Sequence, residues 1–101
     1  MGQTPLIIAS YWGKDEALRL LIDAKGDINA QNEMGNTALH HIAENAKPGW
    51  PLLPAMLRCT TSLLDAKANP RLRNGRELQP LDICQCDELR SQRLSTLNPS
   101  S

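Results

Sequence analysis

The stretch GNTALHHIAEN, Gly35 to Asn45, sets His40 four residues before Glu44, with His41 between them. An i,i+4 pair places two ligands on one helix face, as a zinc site requires. His40 and Glu44 are one weak pair, however, and no third ligand lies near them in sequence. Cys84 and Cys86 flank a single residue, which is the wrong spacing for a zinc knuckle, and Cys59 stands alone. A cysteine nucleophile needs a base beside it, and no pattern here supplies one. There is no Gly-rich phosphate loop and no G-x-S-x-G elbow. The sequence therefore predicts no catalytic residue, no metal and no cofactor. The histidines instead raise a question about scaffold: what positions them, and what do they hold?

The 101 residues suffice for one small domain, 1–101. The apolar share is 41%, with no Phe, one Tyr and two Trp, so the core must be built from Leu, Ile, Ala and Met. Such residues favour helical layers over a β-sandwich. Lys plus Arg equals Asp plus Glu at 11 each, and no overall field recruits nucleic acid or anionic lipid. Residues 1–50 carry four basic against six acidic side chains, and residues 51–101 seven against five, so the halves differ only slightly. Three cysteines at no framework spacing favour a reducing, intracellular, cytoplasmic setting. No apolar run approaches the roughly 20 residues of a membrane span.

Self-comparison reveals a repeat. GQTPLIIA (2–9) aligns with GNTALHHI (35–42). LIDAKGDINAQN (21–32) aligns with LLDAKANPRLRN (63–74), and the same shift brings Ala38-Leu39 onto Pro80-Leu81. Three units follow: 1–34, 35–74 with an insertion at about 46–55, and a C-terminal capping unit 75–101. Thr4 caps a helix whose first residue is Pro5, where a missing N–H costs nothing. Thr37 keeps the cap without the proline, and Gln79-Pro80 keeps the proline without the cap. A turn at Trp12-Gly13 leads to a second helix, about Asp15 to Ala24, with Ala17, Leu18, Leu21 and Ile22 at helical spacing. Gly26 is placed for a left-handed C-terminal cap. A helix pair this short cannot bury its own apolar face and needs a stacked neighbour.

The segments GQTPLIIAS, DINAQNEMGNTALHHIA and LLDAKANPRLRNGRELQPLDIC resemble the ankyrin repeat across nearly the whole chain. The resemblance implies an all-α solenoid of stacked helix–turn–helix units joined by hairpin-like loops. It also implies recognition of another protein through hairpin tips and the concave helix face, without enzymatic activity. In that template the His40 ring bonds the Thr37 hydroxyl and backbone near the turn, tying loop to helix. Thr4, Pro5, Gly13, Gly26, Gly35, Thr37, His40 and Pro80 are then structural residues. His41 points elsewhere, onto the inner surface near Glu44 and Asn45. The partner-binding face would run through Gln3, Ile8, Tyr11 and Trp12, then Glu33, Met34, Asn36, His41, Glu44 and Asn45, to Arg76. Trp50 would add a lip if the insertion serves binding; the alternative is a lengthened surface loop.

Several positions depart from the template. Ile7 and Asp82 stand where the family places His. Ala68 occupies the register of Gly26, which predicts strain if that backbone is left-handed. Glu77 takes the register of Gly35 while Gly75 falls two residues earlier, which predicts a reshaped second hairpin. The insertion predicts a bent loop from Ala46 to about Trp50, then a long helix ending near Lys67 with Leu53, Met56, Leu57, Thr60, Leu63 and Leu64 inward. Cys84 should be buried, Cys59 half-buried and Cys86 exposed. Arg71, Arg73 and Arg76, helped by Arg58 and Lys67, form the one basic patch. It has no aromatic stacking platform, so an acidic protein surface suits it better than nucleic acid.

Leu6, Ile7, Ile8 and Ala9 lack the polar substitutions of a terminal cap. This suggests either a fragment of a longer array or an N-terminal face that docks on something. Two alternatives to a free-standing binding module follow. One is a regulatory or targeting fragment of a larger protein, such as a bacterial effector delivered into a host cell. The other is an assembly unit that self-associates through the N-terminal face. DELRSQRLSTLNPSS reads as a mostly polar closing helix. Two complete units and a truncated third lie at the lower limit of autonomous stability. Hydrogen exchange should accordingly be faster in residues 1–13 than in residues 15–67; slower exchange at the N-terminus would contradict this.

Overall fold

The computed structural model describes residues 4–24 and 27–90. Among them are six helices and no strand: α1 Pro5–Tyr11, α2 Asp15–Asp23, α3 Ala38–Asn45, α4 Leu53–Asp65, α5 Pro80–Ile83 and α6 Asp87–Arg90. α1, α3 and α5 pack side by side in one row. α2 lies behind α1 and packs on α4, which lies behind α3.

Local chemistry sets each start and stop. The Thr4 Oγ1 accepts the Ile7 N–H at 3.1 Å, and Pro5 opens α1. The chain reverses at Gly13, with φ +66°, where an added Cβ would lie 3.0 Å from the Ala55 Cβ. Gly13 thus serves the turn and the approach of α4 together. Asp15 and Glu16 occupy the first turn of α2, where the helix dipole favours negative charge. Asp15 also pairs with Arg58 of α4 at 3.0 Å. The guanidinium holds the Asp15 carboxyl below its usual range. This ion pair is exposed and adds little to stability.

Leu18 is fully buried and Leu21 and Ile22 are half-buried, but Ala17 of the expected inward set is exposed. Ala17 instead lines an apolar groove along α1 and α2. Its register counterpart in α4, Cys59, is completely buried, and α4 packs against both α2 and α1. That burial corrects the half-buried expectation for Cys59. The rest of α4 follows the sequence reading: Pro54 lies in its first turn, Leu53, Met56, Thr60, Leu63 and Leu64 are buried, and Leu57 is half-buried. It runs 13 residues against 9 for α2. Burial of a side chain such as Ile42 or Leu63 contributes about 2 kcal/mol. The buried hydroxyls bond within their own helices, Ser10 to the Leu6 carbonyl and Thr60 to the Met56 carbonyl.

Cys84 is buried as expected, but Cys86 is buried too, correcting its exposed placement. The Cys84 thiol donates to the Cys86 carbonyl at 3.3 Å, and α6 starts immediately afterwards with Leu89 in the core. The remainder of the anticipated closing helix, with Leu94 and Leu97, lies outside the described residues, as do Gln3 and Gly26.

The second hairpin is not reshaped. In the first loop Asn32 N–H donates to the Asn36 carbonyl and Gly35 N–H to the Asn32 carbonyl, both at 2.9 Å. In the second, Asn74 N–H donates to the Leu78 carbonyl and Glu77 N–H to the Asn74 carbonyl, again at 2.9 Å. The Asn32 Oδ1 accepts the N–H of Met34 and Asn36, and the Asn74 Oδ1 accepts those of Arg76 and Leu78. Glu77 adopts φ 64° where Gly35 has φ 79°, so the asparagine brace holds the turn even with a side chain in the left-handed region. Gly75 has a separate role. A Cβ there would lie 2.9 Å from the Met34 carbonyl oxygen, which accepts the Gly75 N–H at 2.8 Å. Its lack of a side chain is what lets the two hairpins touch.

Ala68 is unstrained, because the left-handed residue is Lys67 with φ 74°. Lys67 N–H donates to the Leu64 carbonyl and Ala68 N–H to the Leu63 carbonyl, which is a Schellman cap on α4 with Ala68 packed beneath it. Lys67→Gly should therefore stabilise the fold by about 1 kcal/mol in urea unfolding, whereas Ala68→Gly should not. Equal gains from both would place the cap one residue late.

Candidate functional site

His40 is almost completely buried. Its Nδ1 accepts the Thr37 N–H at 3.1 Å and lies 2.9 Å from the Thr37 hydroxyl. The Nε2 lies 2.7 Å from the Leu78 carbonyl, to which it donates, since Nδ1 is an acceptor. The ring thus ties its own helix to its own cap, as expected, and also reaches the next hairpin. Asp82, which replaces His in the third unit, reproduces the first of these two ties. Its Oδ2 accepts the Gln79 N–H at 2.8 Å. The helix start at Pro80 is therefore braced after all.

A polar ladder accompanies His40 between the hairpins. Asn74 Nδ2 donates to Asn36 Oδ1 at 2.8 Å, Gln31 Nε2 to the Arg73 carbonyl at 3.1 Å, and Asn69 N–H to Asn29 Oδ1 at 2.7 Å. Asn36, expected on the partner face, is mostly buried in this ladder with its side-chain oxygen already engaged, and its remaining surface lines the larger of the two clefts there. Sequence reasoning missed that role, although the shift that pairs Asn32 with Asn74 also carried Asn36 to the second hairpin.

Of the other expected partner residues, Ile8, Tyr11, Trp12, Met34, His41, Glu44 and Arg76 line two clefts on the face of α1, α3 and α5. The smaller, about 210 Å³, is lined by Ile7, Ile8, Tyr11, Trp12 and His41. Trp12 is 56% exposed, so it does not pack away at the inter-helix turn. The larger, about 440 Å³, lies between the hairpin tips and α5, with Met34, Glu44, Arg76, Leu78, Asp82 and Ile83 on its walls. Met34 is 65% exposed at its rim. Asp82 and Ile83 were not foreseen there, although the 42-residue shift sets Ile83 in the register of His41. His41 and Glu44, one turn apart on α3, join the two clefts. Asn45 is half-buried and donates its amide to the His41 carbonyl. Glu33 is exposed on the first hairpin, and Trp50 is exposed in the insertion and lines neither cleft. Among the basic residues, Arg58 is turned to Asp15 and Arg73 donates to the Glu77 carbonyl, so no continuous patch of five forms.

An apolar groove of about 460 Å³ runs along α1 and α2, with Ile8, Ala9, Trp12, Ala17 and Leu21 in its walls. Among the described residues no group of three His, Cys, Asp or Glu could hold a metal ion. Burial raises the Cys59 thiol to about 11 and pushes Cys84 up as well, so neither is a ready thiolate. No helix among the described residues is long and apolar enough to cross a membrane.

Residues 1–74 match the family model described as ankyrin repeats (3 copies). The chain belongs to the ankyrin-repeat family. Ankyrin repeats are protein–protein interaction modules, and their fold is not a catalytic one. The chain is 31% identical over 87 residues to human oxysterol-binding protein-related protein 1, matching 84% of itself and 8% of that protein. It is 32% identical over 80 residues to neurogenic locus notch homolog protein 1 of Xenopus tropicalis, 79% of itself and 3% of that protein. It thus spans less than a tenth of the length of these relatives. Among solved structures, the ankyrin repeat domain of Bcl-3 superposes with a TM-score of 0.73 over 87% of this chain and 35% of that one, at 24% identity.

Burial pushes the pKa of His40 below its usual 6.5, with the Leu78 carbonyl opposing the shift in part. Burial lowers His41 as well, against the charge of Glu44. The unfolded chain therefore binds protons first as pH falls through 6.5, and the fold loses stability there. Urea midpoints should be flat in this term above pH 7 and fall between about pH 6.5 and the lower folded pKa. A midpoint that rises on acidification over that window would contradict the buried neutral imidazole.

Proposed function

We propose that this chain recognises a partner protein through the face formed by α1, α3, α5 and the hairpin tips, with Ile8, Tyr11, Trp12, Met34, His41, Glu44 and Arg76 in contact. The observation that carries this reading is the exposure of large apolar side chains beside open clefts on one face. Ile8, Tyr11 and Trp12 flank one cleft and Met34 the other. Aromatic anchors at the rim of a pocket supply most of the binding energy in protein interfaces. The scaffold beneath them is held by the buried His40 and the asparagine ladder, so little ordering cost falls on the binding step. Specificity then resides in these few side chains, not in the shared framework.

A pull-down that compares the wild type with Trp12→Ala plus Met34→Ala tests this. Leu20→Ala is the control, because Leu20 is exposed on α2 and lines neither cleft. The double variant should keep its helical circular dichroism and lose the captured partner, by tenfold or more for two anchors of about 1 kcal/mol each. Capture unchanged in the double variant, or lost equally in Leu20→Ala, would overturn the assignment of this face.

A further inference from the structure

The smaller cleft has a composition that selects for charge. Tyr11 stands edge-on to Trp12, with centroids 5.0 Å apart and planes at 84°. It stands similarly to His41, at 6.5 Å and 76°. Three rings therefore border one pocket, set at steep angles around Tyr11, while Ile7 and Ile8 complete its apolar lining. We propose that this pocket takes the organic cation of a partner's basic side chain, with its alkyl stem on the isoleucines, its head against the rings and Glu44 as the countercharge.

Four observations converge on that chemistry. The rings are electron-rich faces, and none of the described lining residues carries a positive charge. His41 is itself uncharged near neutral pH: Asn32 Nδ2 lies 3.1 Å from its Nε2, and an amide N–H makes that nitrogen an acceptor. Burial also disfavours the imidazolium, so the ring does not repel an incoming positive charge. Glu44 is exposed, acts electrostatically on His41, and lines the neighbouring cleft with Asp82. A cation seated beside His41 therefore has the Glu44 carboxylate close by, one helical turn further along α3. At about 210 Å³ the pocket admits one side-chain head and not a folded element. An acidic side chain would meet the same rings and the same carboxylate with the wrong sign.

The inference rests on the reading of this face as the partner surface, and it can fail separately. The probes are the Nα-acetyl methylamides of lysine, trimethyllysine and arginine, plus the uncharged analogue in which carbon replaces the quaternary nitrogen. Each is titrated into the ¹⁵N-labelled full chain, and the indole N–H of Trp12 is followed with that of Trp50, which lies outside the pocket, as internal control. At least one cationic probe should shift Trp12, Tyr11 and His41 saturably and leave Trp50 unmoved. For trimethyllysine the uncharged analogue should bind about threefold or more weakly. The three cationic arms identify which head the pocket prefers. Glu44→Gln should weaken the best cation about twofold or more while the helical spectrum is unchanged. Trp12→Phe should retain binding that Trp12→Ala loses. No shift at millimolar concentration, or equal binding of the trimethyl probe and its uncharged analogue, would overturn the cation pocket. Partner capture abolished by Trp12→Ala plus Met34→Ala alongside silent probes would leave the face assignment standing and remove only this inference. Saturable cation binding with unchanged capture would do the reverse.

Discussion

One imidazole joins what the short helices cannot hold together alone. α1 and α3 have 7 and 8 residues, too few to form stable helices in isolation. Each is closed at its start by a threonine, and each must bury its apolar side against the next unit. His40 links these requirements. It fixes the cap of α3 through Thr37 and fixes the following hairpin through Leu78. The bonds need a neutral ring with Nδ1 as acceptor and Nε2 as donor, so burial and hydrogen bonding impose the same protonation state. Around it, the Asn36–Asn74 and Gly75–Met34 contacts set the spacing of the hairpins. The apolar core of Leu39, Ile42, Met56 and Leu63 forms where that spacing places it.

The framework serves rigidity, and the surface above it is left for recognition. Polar groups that look available in sequence are already used: Asn36 by Asn74, Asn45 by the His41 backbone, Arg58 by Asp15. Of the large apolar side chains that stay exposed, Ile8, Tyr11, Trp12 and Met34 stand at the edges of clefts, while Leu20 and Trp50 lie apart from them. The four at the clefts are costly to expose to water, and the core does not bury them. Their placement over a braced scaffold is the physical content of the binding assignment.

Much of this was legible in the sequence because it follows from local rules. Thr4, Thr37 and Pro80 mark helix starts wherever they occur, and the spacing of Leu53, Met56, Leu63 and Leu64 marks the inner face of α4. The family resemblance supplied the role of His40. The errors arose where a tertiary neighbour decides. Cys59 is buried on a helix that packs against α1 and α2, and Cys86 immediately before α6, and neither setting is revealed by the flanking residues. The second hairpin looks altered in sequence because Glu77 replaces the glycine of Gly35. In fact Asn74 repeats the brace of Asn32, and the displaced Gly75 answers a contact with Met34 that lies 41 residues away in the chain. The repeat register puts the cap of α4 one residue late, because periodicity locates a helix end less sharply than its hydrogen bonds do. Of the partner face, the aromatic anchors could be named from type alone, but the cleft walls contributed by Asp82 and Ile83 needed the stacking of α5 on α3.

The most direct measurement is the imidazole nitrogen spectrum of His40 in the intact, ¹⁵N-labelled chain. A bridging His40 should show a single neutral tautomer, with the proton on Nε2, a slowly exchanging Nε2–H, and an unprotonated Nδ1 that resists titration below pH 6.5. A proton on Nδ1, a rapid mixture of tautomers, or an ordinary titration at 6.5 would show that His40 does not bridge α3 to the next hairpin, and the stack would need another explanation.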